Sequence, residues 1–223
     1  YMYQAGAVHV ARYSFYIGKD LTGLSPAEQE KALQSNISLV STVFAVATAA
    51  GMFGAMLVMP ILFKKFNYKQ IVIATSILGF AASLAIWFIG YNNFWACVPF
   101  LVLSCIPCGA INICAFAMVG DCLDYMEWKT GKRTEGITFS MQTSFTKIAS
   151  GITAGLATLA LSLLKYNAID NAEVYIGTQS AAFDKWIWPL VVLTPAVASV
   201  LYIIPLLFVR YGPKERTKVS AEL

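Results

Sequence analysis

The chain has 223 residues, of which 58% are apolar and only 13% charged, with a formal net charge of +4. That balance lies outside the range of ordinary water-soluble domains and makes lipid the natural solvent. The positive excess does not point to nucleic acid, because the basic residues sit singly or in small groups between long uncharged stretches.

In chain order, the first predicted span covers about residues 1–18, apolar and aromatic but carrying His9 and Arg12. It lacks the basic start and Ala-x-Ala site of a cleaved signal peptide. It opens on Tyr rather than Met, so residue 1 is read as a cut inside a longer protein. Arg12 is close enough to Gly18 to snorkel to water; the other reading is a cavity residue. His9, one turn earlier on the same face, is read as a packed or hydrogen-bonded histidine ahead of a proton carrier.

Ser25-Pro26-Ala27-Glu28 has a capping Ser, a Pro at the first helical position and an acid three residues after the cap. A helix is expected to start there and lead into a second span at 37–63, within the uncharged stretch between Lys31 and Lys64. Small residues recur at four-residue spacing in this span (Ala47, Gly51, Ala55) and again in the fifth (Gly151, Gly155), a spacing that allows close helix approach. The next uncharged stretch, Gln70 through Gly120, would make a helix of roughly 77 Å at about 1.5 Å per residue, too long for one crossing. Tyr91-Asn92-Asn93 supplies a polar turn, giving a third span at 70–90 and a fourth at 95–120.

Five cysteines, Cys97, Cys105, Cys108, Cys114 and Cys122, fall in or beside the fourth span. Cys105-Ile-Pro-Cys108 has the spacing of a redox or zinc pair. With no second pair and no nearby His, the cysteines are read as small packing residues beside a Pro107 kink. After a charged segment at 121–135 comes a fifth span at 136–164, uncharged except for Lys147. The polar stretch Tyr166–Lys185 is read as a solvated loop. A sixth span at 186–209 and a basic tail at 211–223 complete the chain.

Loop charge sets the orientation. Lys64, Lys65, Lys69, Lys129, Lys132, Arg133, Arg210, Lys214, Arg216 and Lys218 fall on one side of a six-span arrangement, against Lys19, Lys31, Lys165 and Lys185 on the other, ten to four. The tail is therefore expected in the cytoplasm.

A charge at the centre of a span costs about 2.5 kcal/mol or more on insertion scales, so each needs a reason. Lys147 lies deep in the fifth span, and Gln142, Thr143, Thr146 and Lys147 are related by one and four residues, which places them on one helix face. A polar stripe with a buried cation suggests a water-filled cavity. The alternative is a structural ion pair, whose acid would have to lie outside this chain, since no span here carries a mid-membrane Asp or Glu. The segment from Asp121 to Gly136 holds four acids and three bases and is read either as a solvated loop or as a gate of breakable salt bridges. No phosphate-cradling Gly loop, Ser/His/Asp set or metal-ligand cluster is present, so an enzyme is disfavoured and no cofactor is expected.

Asp121-Cys122-Leu123-Asp124-Tyr125-Met126-Glu127-Trp128-Lys129, Arg133-Thr134-Glu135-Gly136 and Ser140-Met141-Gln142-Thr143 resemble the glycoside-pentoside-hexuronide:cation symporters of the major facilitator superfamily, in their melibiose permease-like form. The resemblance extends from Tyr13-Ser14-Phe15-Tyr16-Ile17-Gly18 to the last span and is most specific between Asp121 and Lys147. It implies an all-α integral membrane fold, six transmembrane helices forming the C-terminal half-bundle of a twelve-helix protein. It implies that residues matching Gln142, Thr143 and Lys147 line a sugar and cation cavity, which with Thr146, Asn112 and Arg12 makes the expected substrate and cation site. Those matching Asp121, Asp124, Arg133 and Glu135 form a cytoplasmic charge network that locks the two halves. One departure is Asn112, where melibiose permease has a cavity tryptophan. The implied activity is sugar:cation symport by alternating access in the cell (inner) membrane. The coupling sodium, lithium or proton would be held mainly by an N-terminal six-helix half. A self-contained six-span channel or a half-size dimerising transporter is the alternative.

Overall fold

The computed structural model describes residues 6, 9–12, 15–18, 25–90, 93–164, 166 and 180–208. Residues 9–12 are helical and are labelled α1; the remainder of the first predicted span and the tail at 211–223 lie mostly or wholly outside the described residues. Five long helices follow, α2 (Pro26–Leu62), α3 (Tyr68–Ile89), α4 (Phe94–Thr130), α5 (Glu135–Leu163) and α6 (Ala181–Phe208). Each is long and apolar enough to cross a membrane, and the described residues form an all-α bundle.

The start of α2 is the one its sequence predicts. The Glu28 carboxylate accepts hydrogen bonds from the Ser25 backbone N–H (3.0 Å) and hydroxyl (2.7 Å), which holds its pKa below the usual carboxylate value. Because the cap lies at Ser25, α2 runs 37 residues, about 55 Å and well beyond the hydrocarbon. Its projecting end carries Glu28, Glu30 and Lys31, which are compatible with water.

At the other side of the bundle, the segment expected to be a charged loop at 121–135 is instead mostly helix. α4 continues to Thr130 and stops at Gly131, which adopts a left-handed conformation (φ 65°) while its N–H bonds to the Glu127 carbonyl at 2.8 Å. Ten residues of the charged run are thus the last turns of α4, since a helix end that leaves the bilayer can keep its charges in water without giving up backbone bonds. Only 131–134 form a connection.

α4 is the central element, packed against α2 and α3, with α3 in turn against α6. The crossing of α2 and α4 is made by small residues. A Cβ on Gly51 would stand 2.3 Å from the Val102 carbonyl oxygen and one on Gly109 would stand 2.3 Å from that of Met52, so the two backbones approach as only glycine permits. The second predicted pair behaves differently: a Cβ on Gly151 or Gly155 would meet nothing within 4 Å. The spacing was the same, but only the first helix has a neighbour against that stripe. The buried Pro107 ring packs on Gly79 of α3.

Two apolar clusters fill the interior. One joins Val10, Phe15, Phe44, Phe94, Phe183 and Trp188, with the Phe15 ring edge-on to Phe94 (5.4 Å) and Trp188 (5.0 Å). The other, toward the opposite ends of the helices, joins Met59, Ile71, Val72, Ala110, Cys114 and Leu206. Cys97, Cys105 and Cys114 are buried in these clusters as thiols, the packing role their apolar setting predicts.

Buried Asn36 ties the chain after α1 to α2. Its Oδ1 accepts from the Ile17 N–H (2.9 Å) and its Nδ2 donates to the Phe15 carbonyl (2.7 Å), satisfying backbone groups that no helix ladder serves. Asn36→Ala is expected to destabilise the fold by about 1–3 kcal/mol, because two backbone groups lose their partners in an apolar setting. Thermal unfolding of the detergent-solubilised protein checks this. An unchanged midpoint would mean that water replaces both bonds.

Candidate functional site

The helix predicted to carry the site, α5, stands apart from the rest. None of its residues is buried, and its main neighbour is α4. Three stripes run along it. Met141, Phe145, Ile148, Ile152, Leu156, Leu159 and Leu163, at three- and four-residue spacing, are exposed and apolar, as a lipid-facing stripe would be. Thr138, Gln142, Ser150, Thr153, Ala157 and Ala160 are half-covered. Between these lie Ser140, Thr143, Lys147, Gly151 and Ala154, exposed and small or polar.

The structure divides the predicted polar face between two of these stripes. Thr143, Thr146 and Lys147 are exposed, whereas Gln142 is half-covered, with its Oε1 shut off from solvent and without a hydrogen-bond partner among the described residues. Lys147 lies twelve residues from the first residue of α5, Glu135, or roughly 18 Å along the axis at about 1.5 Å per residue. That places it near the middle of the 29-residue helix. Among the described residues no carboxylate lies within ion-pair reach of it.

The hydroxyls of α5 are oriented by the helix itself. Thr143 donates to the Phe139 carbonyl (2.9 Å), Thr146 to Gln142 (2.9 Å), Ser150 to Thr146 (2.9 Å) and Thr153 to Ala149 (2.8 Å). With these bonds in place, each hydroxyl turns its lone pairs outward. Sequence spacing predicts which hydroxyls share a face. It does not say which way their protons point, and the back-bonding is visible only in coordinates.

The second predicted set meets at the α4–α5 connection. Arg133 Nη1 lies 3.6 Å from Asp124 Oδ1 and 2.8 Å from Glu127 Oε2, and Arg133 Nε pairs with Glu135 Oε1. The hydrogen bonds to Glu135 and Glu127 raise the guanidinium pKa further above its ordinary value. Asp124, Arg133 and Glu135 are therefore brought together, with Asp121 half-buried one turn earlier on α4. Glu127 is the partner that sequence reasoning missed, although its three-residue spacing from Asp124 on a helix would have indicated it. These pairs all lie within this bundle and clasp the end of α4 to the start of α5.

The remaining predicted residues lie on other elements. Asn112 is exposed on α4, and its Nδ2 donates one of its two N–H groups to the Cys108 carbonyl at 2.8 Å, leaving the other N–H and Oδ1 for further partners. Arg12 is half-buried beside buried Val10 and Ala11. His9 packs edge-on against Tyr166, with ring centroids 5.0 Å apart, and against Phe183 at 6.4 Å, the packed environment expected of it.

Comparison with known proteins follows the same residues. The family model described as MFS/sugar transport protein matches residues 33–212. An Escherichia coli (strain K12) protein named as a sulfoquinovose importer is 29% identical over 160 residues, 70% of this chain and 32% of the relative. The uncharacterized symporter YjmB of Bacillus subtilis (strain 168) is 28% identical over 171 residues, 74% of this chain and 34% of the relative. A Salmonella typhimurium protein named as a 2,3-dihydroxypropane-1-sulfonate exporter is 28% identical over 149 residues, 66% and 30% of the two chains. The chain thus spans about a third of the length of the curated relatives it matches. No solved structure matches it.

Proposed function

This chain belongs to the MFS/sugar transport protein family, and we propose on that premise that it forms one wall of the cavity of a sugar:cation symporter working by alternating access. The observation that carries the proposal is the division of α5. A helix with an exposed apolar stripe on one side and an exposed polar stripe holding Lys147 on another suits a boundary between lipid and a water-filled cavity. Gln142, Thr143, Thr146 and Lys147 face or border the solute, and Asn112 and Arg12 contribute from α4 and α1. An N-terminal six-helix half supplies the facing wall and most ligands of the coupling sodium, lithium or proton. The protein sits in the cell (inner) membrane with its C-terminal tail in the cytoplasm, in line with the ten-to-four asymmetry of basic residues.

In this reading, transport proceeds as the two halves rock about the midplane site, and sugar and cation each favour states that the other also favours. The test is uptake by the full-length protein in proteoliposomes, with glycosides, pentosides and hexuronides offered under imposed sodium or proton gradients. Accumulation that collapses with the gradient supports symport. Uptake indifferent to every gradient would leave only facilitated passage.

The charge cluster supplies a second expected result. Arg133 clasps Asp124, Glu127 and Glu135 across the connection between α4 and α5, so its ion pairs are placed to set how the cavity helix moves. Arg133→Gln should slow exchange by about threefold to tenfold while sugar affinity changes by less than about twofold, since exposed pairs contribute only about 0.2–1 kcal/mol each. Counterflow rates set beside binding isotherms distinguish the two. Weakened binding with unaltered exchange would refute the gate role.

A further inference from the structure

We infer that the connection between α2 and α3 is a docking site for an anionic phospholipid, whose phosphate is held by Lys64, Lys65 and Lys69 while its acyl chains lie on the exposed apolar ends of the two helices. The inference goes beyond the transport reading and does not depend on it, because it concerns the surface toward lipid rather than the path of a solute. The chain turns between the two spans in five residues, 63–67. The turn is fixed by its own backbone: the Lys64 N–H donates to the Ile61 carbonyl (3.3 Å), and the Lys65 and Phe66 N–H groups donate to that of Leu62 (3.0 and 2.9 Å). On its inner side the Phe63 ring stands edge-on to Tyr68, with centroids 4.9 Å apart, and Met59, Ile71 and Val72 share one buried cluster. On its outer side Lys64, Lys65, Phe66 and Lys69 are all exposed. A connection this short between two spans stays at the membrane surface, which puts the ammonium groups at the level of the lipid phosphates.

The charge here is uncompensated. The sequence holds no Asp or Glu between Glu30 and Asp121, and none of the three lysines has a carboxylate within ion-pair reach among the described residues. The neutral polar neighbours, Asn67, Tyr68 and Gln70, add no negative charge. The α4–α5 connection is the contrast, since its bases Lys129, Lys132 and Arg133 stand among Asp124, Glu127 and Glu135. A zwitterionic headgroup would bring a cation of its own toward the lysines, whereas an anionic one brings only the charge they lack. A soluble anion could answer the same charge, but it would leave the adjoining surface uncovered. That surface is apolar: Leu57 (79% exposed) and Ile61 (65%) on α2, Ile77 (60%) on α3, and Phe66 (49%) within the lysine group itself. Acyl chains cover such a surface and a free phosphate does not.

The experiment is native mass spectrometry of the full-length protein in detergent, titrated with palmitoyl-oleoyl phosphatidylglycerol, with phosphatidylcholine of the same chains, or with inorganic phosphate. Wild type is expected to retain phosphatidylglycerol over phosphatidylcholine by at least about fivefold, the scale of one lysine at an anionic membrane surface. Combining Lys64→Gln, Lys65→Gln and Lys69→Gln should cut that preference by at least about half, whereas arginine at the same three positions should keep it. Lys129→Gln with Lys132→Gln is the control and should leave it unchanged. Equal retention of the two lipids by wild type overturns the inference whether or not any variant folds. So does a preference undiminished by loss of the three lysines, or one that falls as far in the Lys129 and Lys132 control. Phosphatidylglycerol that is displaced by inorganic phosphate would mark a site for a soluble anion and overturn the lipid assignment as well. Sugar transport stands or falls separately, on uptake in proteoliposomes.

Discussion

Lys147→Ala is expected to cut gradient-driven sugar accumulation by at least tenfold, on the order of the loss of one charged hydrogen bond, without preventing insertion into the membrane. Insertion should survive because the substitution removes a cation whose presence at mid-span costs about 2.5 kcal/mol or more, so α5 becomes a better membrane helix. Folding should survive too, since Lys147 is exposed and makes no ion pair among the described residues. On the proposed reading, only solute binding has something to lose. The measurement is accumulation in vesicles under an imposed gradient, with membrane abundance and monodispersity in detergent recorded alongside. Accumulation that survives at the wild-type level, still driven by the gradient, would remove Lys147 from the site. A protein lost from the membrane would instead show that the cation is structural and paired.

The second large effect is expected at the crossing of α2 and α4. Gly51→Leu should lower the yield of folded protein sharply and destabilise what remains by about 1–3 kcal/mol or more, the range seen when a packed core is overfilled. The reason is the contact itself. A Cβ at Gly51 would lie 2.3 Å from the Val102 carbonyl oxygen and 3.0 Å from Cys105 Cβ, and a backbone atom of a central helix cannot turn aside as a side-chain tip can. Relief requires α2 and α4 to separate, which would loosen the cluster containing Phe44, Ala47, Leu101 and Cys105. Gly151→Leu is the matched control, because the added side chain meets open space and leucine is the better helix former. Thermal stability and size-exclusion profiles in detergent should separate the two variants. Equal behaviour would mean that α2 and α4 are not packed backbone to backbone.

These results test different kinds of knowledge about the molecule. The helical membrane character was legible at once, because excluding charge from lipid leaves long unmistakable gaps between Lys31 and Lys64 and between Lys69 and Asp121. The Ser25–Glu28 cap was legible because it is a local pattern completed within one turn. The end of α4 was not. Charge density marks where a helix leaves the bilayer, but it does not say whether the backbone stays helical in water, and here Gly131 stops it ten residues later than the change in composition suggests.

Lys147 drew attention as a candidate by its setting in an uncharged span, as did the charges around Arg133. Which acids would clasp Arg133 depended on α4 continuing to Thr130, since that places Asp124 and Glu127 beside the connection to α5. Glu127 was overlooked for that reason.

What the sequence determined by itself about this protein is therefore its solvent and the number and position of its charged interruptions, because exclusion of charge from lipid acts on each stretch of chain by itself. Only the tertiary structure decided that Gly51 and Gly109 seal a helix crossing while Gly151 faces open space, that α5 stands with its polar stripe uncovered, and that Arg133 is held by three carboxylates. The physical reason is that identical local patterns acquire their meaning from whichever surface lies opposite, and that surface belongs to residues distant in the chain.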